Sequence, residues 1–146
     1  MSWCLRTVRA GVLATLLFGG ATAAFAASPD VRTVDPAQAQ AMAQAGVTVI
    51  DVRRVDEWQS TGVIPGSLLI TAFDASGRPV PDFVEMVRAR VAPDAPVVIV
   101  CRSGNRSAVA ARLLADQAGY TNLHNAAGGI SEWARSGRPL APCPSC

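Results

Sequence analysis

The sequence contains no lysine, and all 13 of its basic residues are arginine. Two of them, Arg6 and Arg9, lie in a predicted N-terminal leader, so the rest of the chain carries 13 − 2 = 11 basic residues against 11 acidic ones. A chain without a basic excess lacks the charge that nucleic acid or an anionic membrane would attract, and we expect neither as a partner. The choice of arginine can reflect genome composition, although guanidinium is well suited to binding oxyanions through paired donors.

Histidine and cysteine are also scarce. His124 is the single histidine, and a lone histidine at a predicted strand end is more typical of a structural residue than of a general base. The sequence therefore predicts no metal site and no cofactor. Cys4 lies in the leader, which leaves Cys101, Cys143 and Cys146. In an oxidising compartment the closely spaced pair is expected to form a disulfide, with Cys101 as the free reactive thiol.

The first 26 residues have the pattern of a signal peptide. Two arginines precede an apolar run over residues 10–23, and Ala24-Phe25-Ala26 fits the small-x-small cleavage pattern. We predict cleavage after Ala26 and a periplasmic or exported protein. The alternative is an uncleaved membrane anchor, since the run approaches spanning length, and contact with a membrane is expected only in that case. The predicted organisation is a signal peptide (1–26), one domain (27–138) and a proline- and cysteine-containing tail (139–146).

Predicted strands and helices alternate along the domain. Apolar runs predict strands over residues 31–34, 47–50, 67–70, 97–100 and 121–125. Helical patterns cover residues 37–45, 81–91 and 108–118, with shorter helices around Asp56 and Trp133. This alternation predicts an α/β fold with a mostly parallel five-stranded sheet and helices on both faces.

One loop carries the main chemical signal. Cys101 directly follows the buried strand at 97–100 and precedes a helix, and the loop between them contains Gly104 and two arginines. Unpaired amides at the start of the helix, the helix dipole and the arginines should all favour thiolate over thiol and lower the Cys101 pKa. We therefore predict that Cys101 is a nucleophile. The alternative, a small apolar residue ending a core strand, fits a basic loop less well. The candidate substrate-binding residues are Arg102, Ser103, Gly104, Asn105, Arg106 and Ser107.

Asp51 ends an earlier strand. Because parallel strands present their carboxyl ends at one edge of a sheet, Asp51 is expected near the Cys101 loop, where it could contact a loop arginine. Capping the short helix that follows is an equally reasonable role.

The chain resembles the single-domain rhodaneses, particularly the small exported bacterial members. The matching segments are Asp51-Val52-Arg53, Glu57-Trp58, residues 62–67, the loop 101–107 and residues 128–133. It departs from the family pattern at Val63, where histidine is usual, and in its cysteine-bearing tail. The resemblance implies a sulfurtransferase. In such a reaction Cys101 takes sulfane sulfur from a donor such as thiosulfate, holds it as a persulfide and passes it to a thiophile such as cyanide or a thiol. It also implies Arg102 and Arg106 as oxyanion-binding residues.

Three other functions stay open. Phosphatases and arsenate reductases use a similar loop, but five residues then separate cysteine from arginine, whereas four separate Cys101 from Arg106 here. Cys143 and Cys146 could form the redox pair of a thiol-disulfide protein, or could resolve the Cys101 persulfide. A non-enzymatic persulfide carrier or interaction module is the third possibility. The sequence indicates no particular donor, acceptor or oligomeric state.

Overall fold

The computed structural model describes residues 30–143 and residue 146. The predicted signal peptide lies outside these residues. In the part of the chain that is described, no helix is both long and apolar enough to cross a membrane.

Five strands and five helices alternate, as the sequence predicted. The elements are β1 (Arg32–Val34), α1 (Pro36–Gln44), β2 (Thr48–Asp51), α2 (Val55–Thr61), β3 (Leu68–Leu69), α3 (Phe83–Arg88), β4 (Val97–Val100), α4 (Asn105–Ala118), β5 (Leu123–Ala126) and α5 (Gly129–Arg135). The strands form one sheet in the order β1-β5-β4-β2-β3, and every pair of neighbours is parallel. The predicted α/β fold is confirmed.

Strand β4 lies at the centre of the sheet and is buried on both faces. Its residues Val97 and Ile99 belong to one apolar core, which α3 and α4 cover, whereas Val98 and Val100 belong to a second core with α1 and α5. Successive side chains of a strand point to opposite faces, so an unbroken apolar run fits a strand between two helical layers.

Helix α4 begins at Asn105, three residues before the predicted start at 108. Gly104 caps it with a φ of +95°, a conformation that favours glycine. The polar residues that suggested a loop are in fact the first turn of the helix. Helix α3 is shorter than the predicted 81–91, because its N-cap is Asp82 and the regular helix ends at Arg88.

A buried ion pair joins β2 to α2. The guanidinium of Arg53, which is only 1% exposed, donates from Nε and Nη2 to both oxygens of Asp51, at distances of 2.7–3.1 Å. Its Nη2 and Nη1 groups also donate to Gly62 O at 2.8 Å and Thr61 Oγ1 at 2.6 Å. This pair fixes the carboxyl end of α2 against the end of β2.

Both roles predicted for Asp51 are corrected by this pairing. Its partner is Arg53, two residues away, and not an arginine of the Cys101 loop, and the N-cap of α2 is Arg54. An aspartate at the buried end of a strand needs a nearby cation, and Arg53 is the nearest along the chain.

We expect Asp51→Asn to destabilise the protein by about 3–5 kcal/mol, because it leaves the buried Arg53 charge without its counter-ion. Chemical denaturation would measure the loss. The control is Glu85→Gln, which breaks the exposed pair with Arg88 and should cost less than about 1 kcal/mol. Similar losses in the two variants would contradict a structural role for the buried pair.

Candidate active site

The site forms at the carboxyl ends of β2 and β4. These strands are neighbours, and Asp51 lies opposite Val100 in their parallel register. Cys101 is the next residue, so the sheet brings the end of β2 and the Cys101 loop to one edge, as predicted.

The sulfur of Cys101 is buried within its own loop. The residue is fully buried and is the one free cysteine among the described residues. Its Sγ accepts a hydrogen bond from Gly104 N at 3.1 Å and lies 3.3 Å from Ser107 Oγ. The loop therefore curls around the sulfur, with one backbone amide and one hydroxyl directed at it.

Asn125 of β5 completes a ring of hydrogen bonds that the sequence did not predict. Ser107 Oγ donates to Asn125 Oδ1 at 2.6 Å, and Asn125 Nδ2 donates to Gly104 O at 3.1 Å. A hydroxyl has one proton, so Ser107 cannot donate to Asn125 and to the sulfur at the same time. With a neutral thiol, Sγ–H donates to Ser107, whereas a thiolate can receive the Ser107 proton instead. The ring thus has one arrangement for each protonation state of Cys101.

Helix α5 binds the Cys101 loop through two backbone hydrogen bonds. Ile130 N donates to Cys101 O at 2.8 Å, and Ser131 N donates to Arg102 O at 3.1 Å. This approach requires glycine at position 129, where φ is +55° and a Cβ atom would lie 2.2 Å from Cys101 O. The sequence indicated a short helix around Trp133 without a contact to the loop, and the Gly128-Gly129 step was the available signal.

Arg106 forms an ion pair with a carboxylate of α2. Its guanidinium donates to both oxygens of Glu57, at 2.6 and 2.8 Å. The hydrogen bond from Arg106 lowers the pKa of Glu57 to about 2, and the same contact raises the pKa of Arg106. The pair therefore stays ionised at neutral and mildly acidic pH, and Arg106 joins the loop to α2.

Arg102 is exposed and forms none of the ion pairs found among the described residues. It lines a cleft of about 430 Å³ between α2, α5 and the chain after α5. Ser103 and Asn105 are also exposed, whereas Gly104 and Ser107 are buried. The other residues that line the cleft are Arg53, Glu57, Ser60, Thr61, Ile130, Ser131, Ala134 and Leu140.

His124 lies on the other face of the sheet from the sulfur. It precedes Asn125 in β5, and neighbouring side chains of a strand point to opposite faces, so the contact of Asn125 with Ser107 directs His124 away. His124 is 7% exposed, and its Nδ1 has no hydrogen-bond partner. This position does not suit a base for Cys101.

The tail cysteines are joined. Cys143 and Cys146 form a disulfide with a Cα–Cα distance of 5.5 Å, which confirms the predicted pairing. The preceding residues do not extend freely, because Val63 and Ala141 form an antiparallel bridge.

A protein-family model described as a rhodanese-like domain matches residues 35–136. The chain belongs to the rhodanese family. Among curated proteins, this rhodanese is 32% identical over 104 residues to the thiosulfate sulfurtransferase GlpE of Pseudomonas savastanoi, an alignment that covers 71% of this chain and 88% of that protein. It is 34% identical over 94 residues to a protein named sulfurtransferase from Allochromatium vinosum, with coverage of 64% and 78%.

Solved structures show the same rhodanese fold. The crystal structure of Rv0390 from M. tuberculosis matches with a TM-score of 0.66 and 26% identity, covering 77% of this chain and 98% of that one. A protein from Rhodopseudomonas palustris described as a possible tyrosine phosphatase matches with a TM-score of 0.57 and 29% identity, with coverage of 76% and 85%. Both sulfurtransferase and phosphatase names therefore occur among similar proteins.

We expect Gly129→Ala to destabilise this rhodanese by roughly 2–5 kcal/mol, from backbone strain and from the clash with Cys101 O. Gly137→Ala is the matched control, because Gly137 also has a positive φ, +74°, but a Cβ atom there would meet nothing within 4 Å. It should cost only about 1–2 kcal/mol. Chemical denaturation of both variants would measure the difference in the free energy of unfolding. Equal losses would show that the close approach of position 129 to Cys101 O is unimportant.

Proposed function

We propose that this rhodanese is a sulfurtransferase that carries sulfane sulfur on Cys101 and takes it from thiosulfate or a similar small donor. The observation that carries the proposal is the free thiol at the end of β4, held between Gly104 N and Ser107 Oγ. The names of the Pseudomonas and Allochromatium relatives support the same activity.

In the first half-reaction the Cys101 thiolate attacks the outer sulfur of thiosulfate. The new S–S bond forms as the sulfur–sulfur bond of thiosulfate breaks, and sulfite leaves with the bonding electrons. The product is a Cys101 persulfide. Gly104 N–H supports the thiolate that makes this attack and that the second half-reaction restores, because a fixed backbone donor stabilises negative charge on the Cys101 sulfur without reorganisation.

In the second half-reaction a thiophile attacks the outer sulfur of the persulfide. Cyanide would leave as thiocyanate and a thiol as its persulfide, and each restores the Cys101 thiolate. The burial of Cys101 favours donors and acceptors whose reacting atom is terminal and narrow, since a bulky group cannot enter the loop.

Arg102 is the stronger candidate for binding the donor's oxyanion. It is exposed beside the cleft, whereas Arg106 has both of its terminal nitrogens on Glu57. We propose that Arg102 attracts the sulfonate oxygens and that Arg106 keeps the loop in shape. Ser103 and Asn105 would contribute backbone amides at the loop rim.

A phosphatase is the second candidate, favoured by the description of the R. palustris neighbour. A phosphate-binding loop places an arginine on the oxygens of the transferred group. Here the loop has four residues between Cys101 and Arg106, and Glu57 already occupies that arginine. These features support sulfur over phosphorus as the transferred atom.

Thiosulfate should add one sulfur atom to the mass of the reduced protein, and cyanide should remove it with formation of thiocyanate. Intact mass measurement before and after each addition tests this. Cys101→Ser should show neither change, and a Cys101→Ser protein with full thiocyanate-forming activity would refute the assignment.

An aryl phosphatase activity that matches the sulfurtransferase rate and is lost in Cys101→Ser would favour the second candidate. A persulfide that forms but does not turn over with cyanide or thiols would indicate a carrier.

Arg102→Ala should lower kcat/KM for thiosulfate by roughly 10- to 100-fold, since one interaction with a charged group is worth about 1.5–3 kcal/mol. Arg102→Lys should recover part of the loss, because it restores the charge without the paired donors. The control is Arg112→Ala, which removes another exposed arginine of the same region of sequence, on α4. Unchanged thiosulfate kinetics in a folded Arg102→Ala protein would exclude this role.

A further inference from the structure

The chain after α5 is bound to the domain by several contacts. Val63 and Ala141 exchange two backbone hydrogen bonds, at 2.8 and 2.9 Å, and Trp133 Nε1 donates to Pro139 O at 2.9 Å. Leu140 packs against the core that contains β4 and α5. The sequence had given no reason to expect such an anchor.

This anchor places the tail at the cleft beside the Cys101 loop. Leu140 lines the cleft together with Arg102 and Ser131, and Ser131 N holds the Arg102 carbonyl. Cys143 follows Leu140 by three residues. Three residues span at most about 10 Å, so the Cys143 thiol stays tethered close to the cleft that Leu140 and Arg102 line.

The two tail thiols can be oxidised together. Their Cα atoms lie 5.5 Å apart in the disulfide, within the usual range for such a bond, and both residues are half-buried, so reagents can reach them. Two thiols at this spacing can form a disulfide with each other after one of them has accepted a sulfur atom.

We propose that reduced Cys143 and Cys146 form an internal acceptor for the sulfur on Cys101, an inference that rests on the sulfurtransferase function. In the first step a tail thiolate attacks the outer sulfur of the Cys101 persulfide. The sulfur moves to the tail, and Cys101 leaves as a thiolate. In the second step the other tail thiolate attacks the tail persulfide at its inner sulfur, forms the Cys143–Cys146 disulfide and expels hydrogen sulfide.

The electrons balance within the protein. The transferred sulfur gains two electrons and becomes sulfide, and the two tail thiols lose two electrons to form the disulfide. The structure has the disulfide that this reaction would produce. A second turnover requires an external dithiol to reduce the tail, and the activity then becomes thiosulfate reduction to sulfite and sulfide.

Anchoring makes the transfer intramolecular. A short tether gives an effective concentration in the millimolar range, so at about 10 µM protein the transfer within one chain should be roughly 100-fold faster than transfer between chains. The rate constant should also be independent of protein concentration.

The experiment uses the full chain, reduced and freed of reductant, with thiosulfate added at one equivalent. Intact mass first shows whether the Cys101 persulfide forms. Sulfide release and the mass loss of two hydrogens in the tail are then followed over time. We expect one sulfide per disulfide in the unmodified sequence, and a persulfide that is at least tenfold longer-lived in the Cys143→Ser/Cys146→Ser variant.

Two further variants separate the steps. A chain with Cys143→Ser or Cys146→Ser alone should retain the extra sulfur. The sulfur should lie on the remaining tail cysteine if that residue makes the first attack, and peptide mapping would locate it. Ala141→Pro keeps Cys101, Cys143 and Cys146 but removes the hydrogen bond from Ala141 N to Val63 O, and it should slow sulfide release.

The possible failures can be told apart. If no persulfide forms on Cys101 in either protein, the sulfurtransferase function itself fails. If the persulfide forms and reacts with cyanide equally in both proteins, but decays equally without cyanide, the tail is not an acceptor. A decay rate proportional to protein concentration would likewise overturn transfer within one chain.

Discussion

The buried pair between Asp51 and Arg53 is the contact on which the arrangement of the site depends. Arg53 reaches from the end of β2 to the carbonyl of Gly62 and so fixes the carboxyl end of α2. Helix α2 in turn presents Glu57 to Arg106, and the turn after it receives the tail at Val63. A charge buried this deeply without a partner costs several kcal/mol, so the pair favours the position of α2 in which Arg53 also binds Thr61 and Gly62. The loop and the tail therefore take their places from the same interaction.

Backbone amides and neutral polar side chains bind the Cys101 loop and its sulfur from three sides. Amides of α5 bind its first two carbonyls, Gly104 N faces the sulfur, and Ser107 with Asn125 closes the ring around it. Fixed dipoles of this kind need no reorganisation when charge appears on sulfur, which is the condition for electrostatic catalysis. Within this ring only the Ser107 hydroxyl has to rotate when Cys101 loses its proton.

The fold and the position of the free Cys101 thiol at the end of β4 could be predicted because their signals are local. The apolar run of β4, Cys101, Gly104 and the following helix are contiguous, and alternating elements imply a parallel sheet. The supporting contacts could not be predicted in the same way. Glu57 lies 49 residues before Arg106 in the sequence, and Asn125 reaches Ser107 only because β5 is the neighbour of β4. The adjacent residues Arg53 and Arg54 also look alike in the sequence, although Arg53 is buried and Arg54 is partly exposed.

The pairing of Arg106 with Glu57 also bears on how the proposed reaction could turn over. Thiosulfate and the sulfite that leaves carry the same charge, so a cation that binds one also retains the other. A unit charge at 4 Å is worth about 4 kcal/mol at the effective dielectric of a protein surface, and two free arginines would strengthen the binding of donor and product alike. Uniform binding of this kind does not accelerate the chemical step. In the proposed reaction, with Arg106 neutralised by Glu57, Arg102 alone would attract the donor, and sulfite would depart against a single charge.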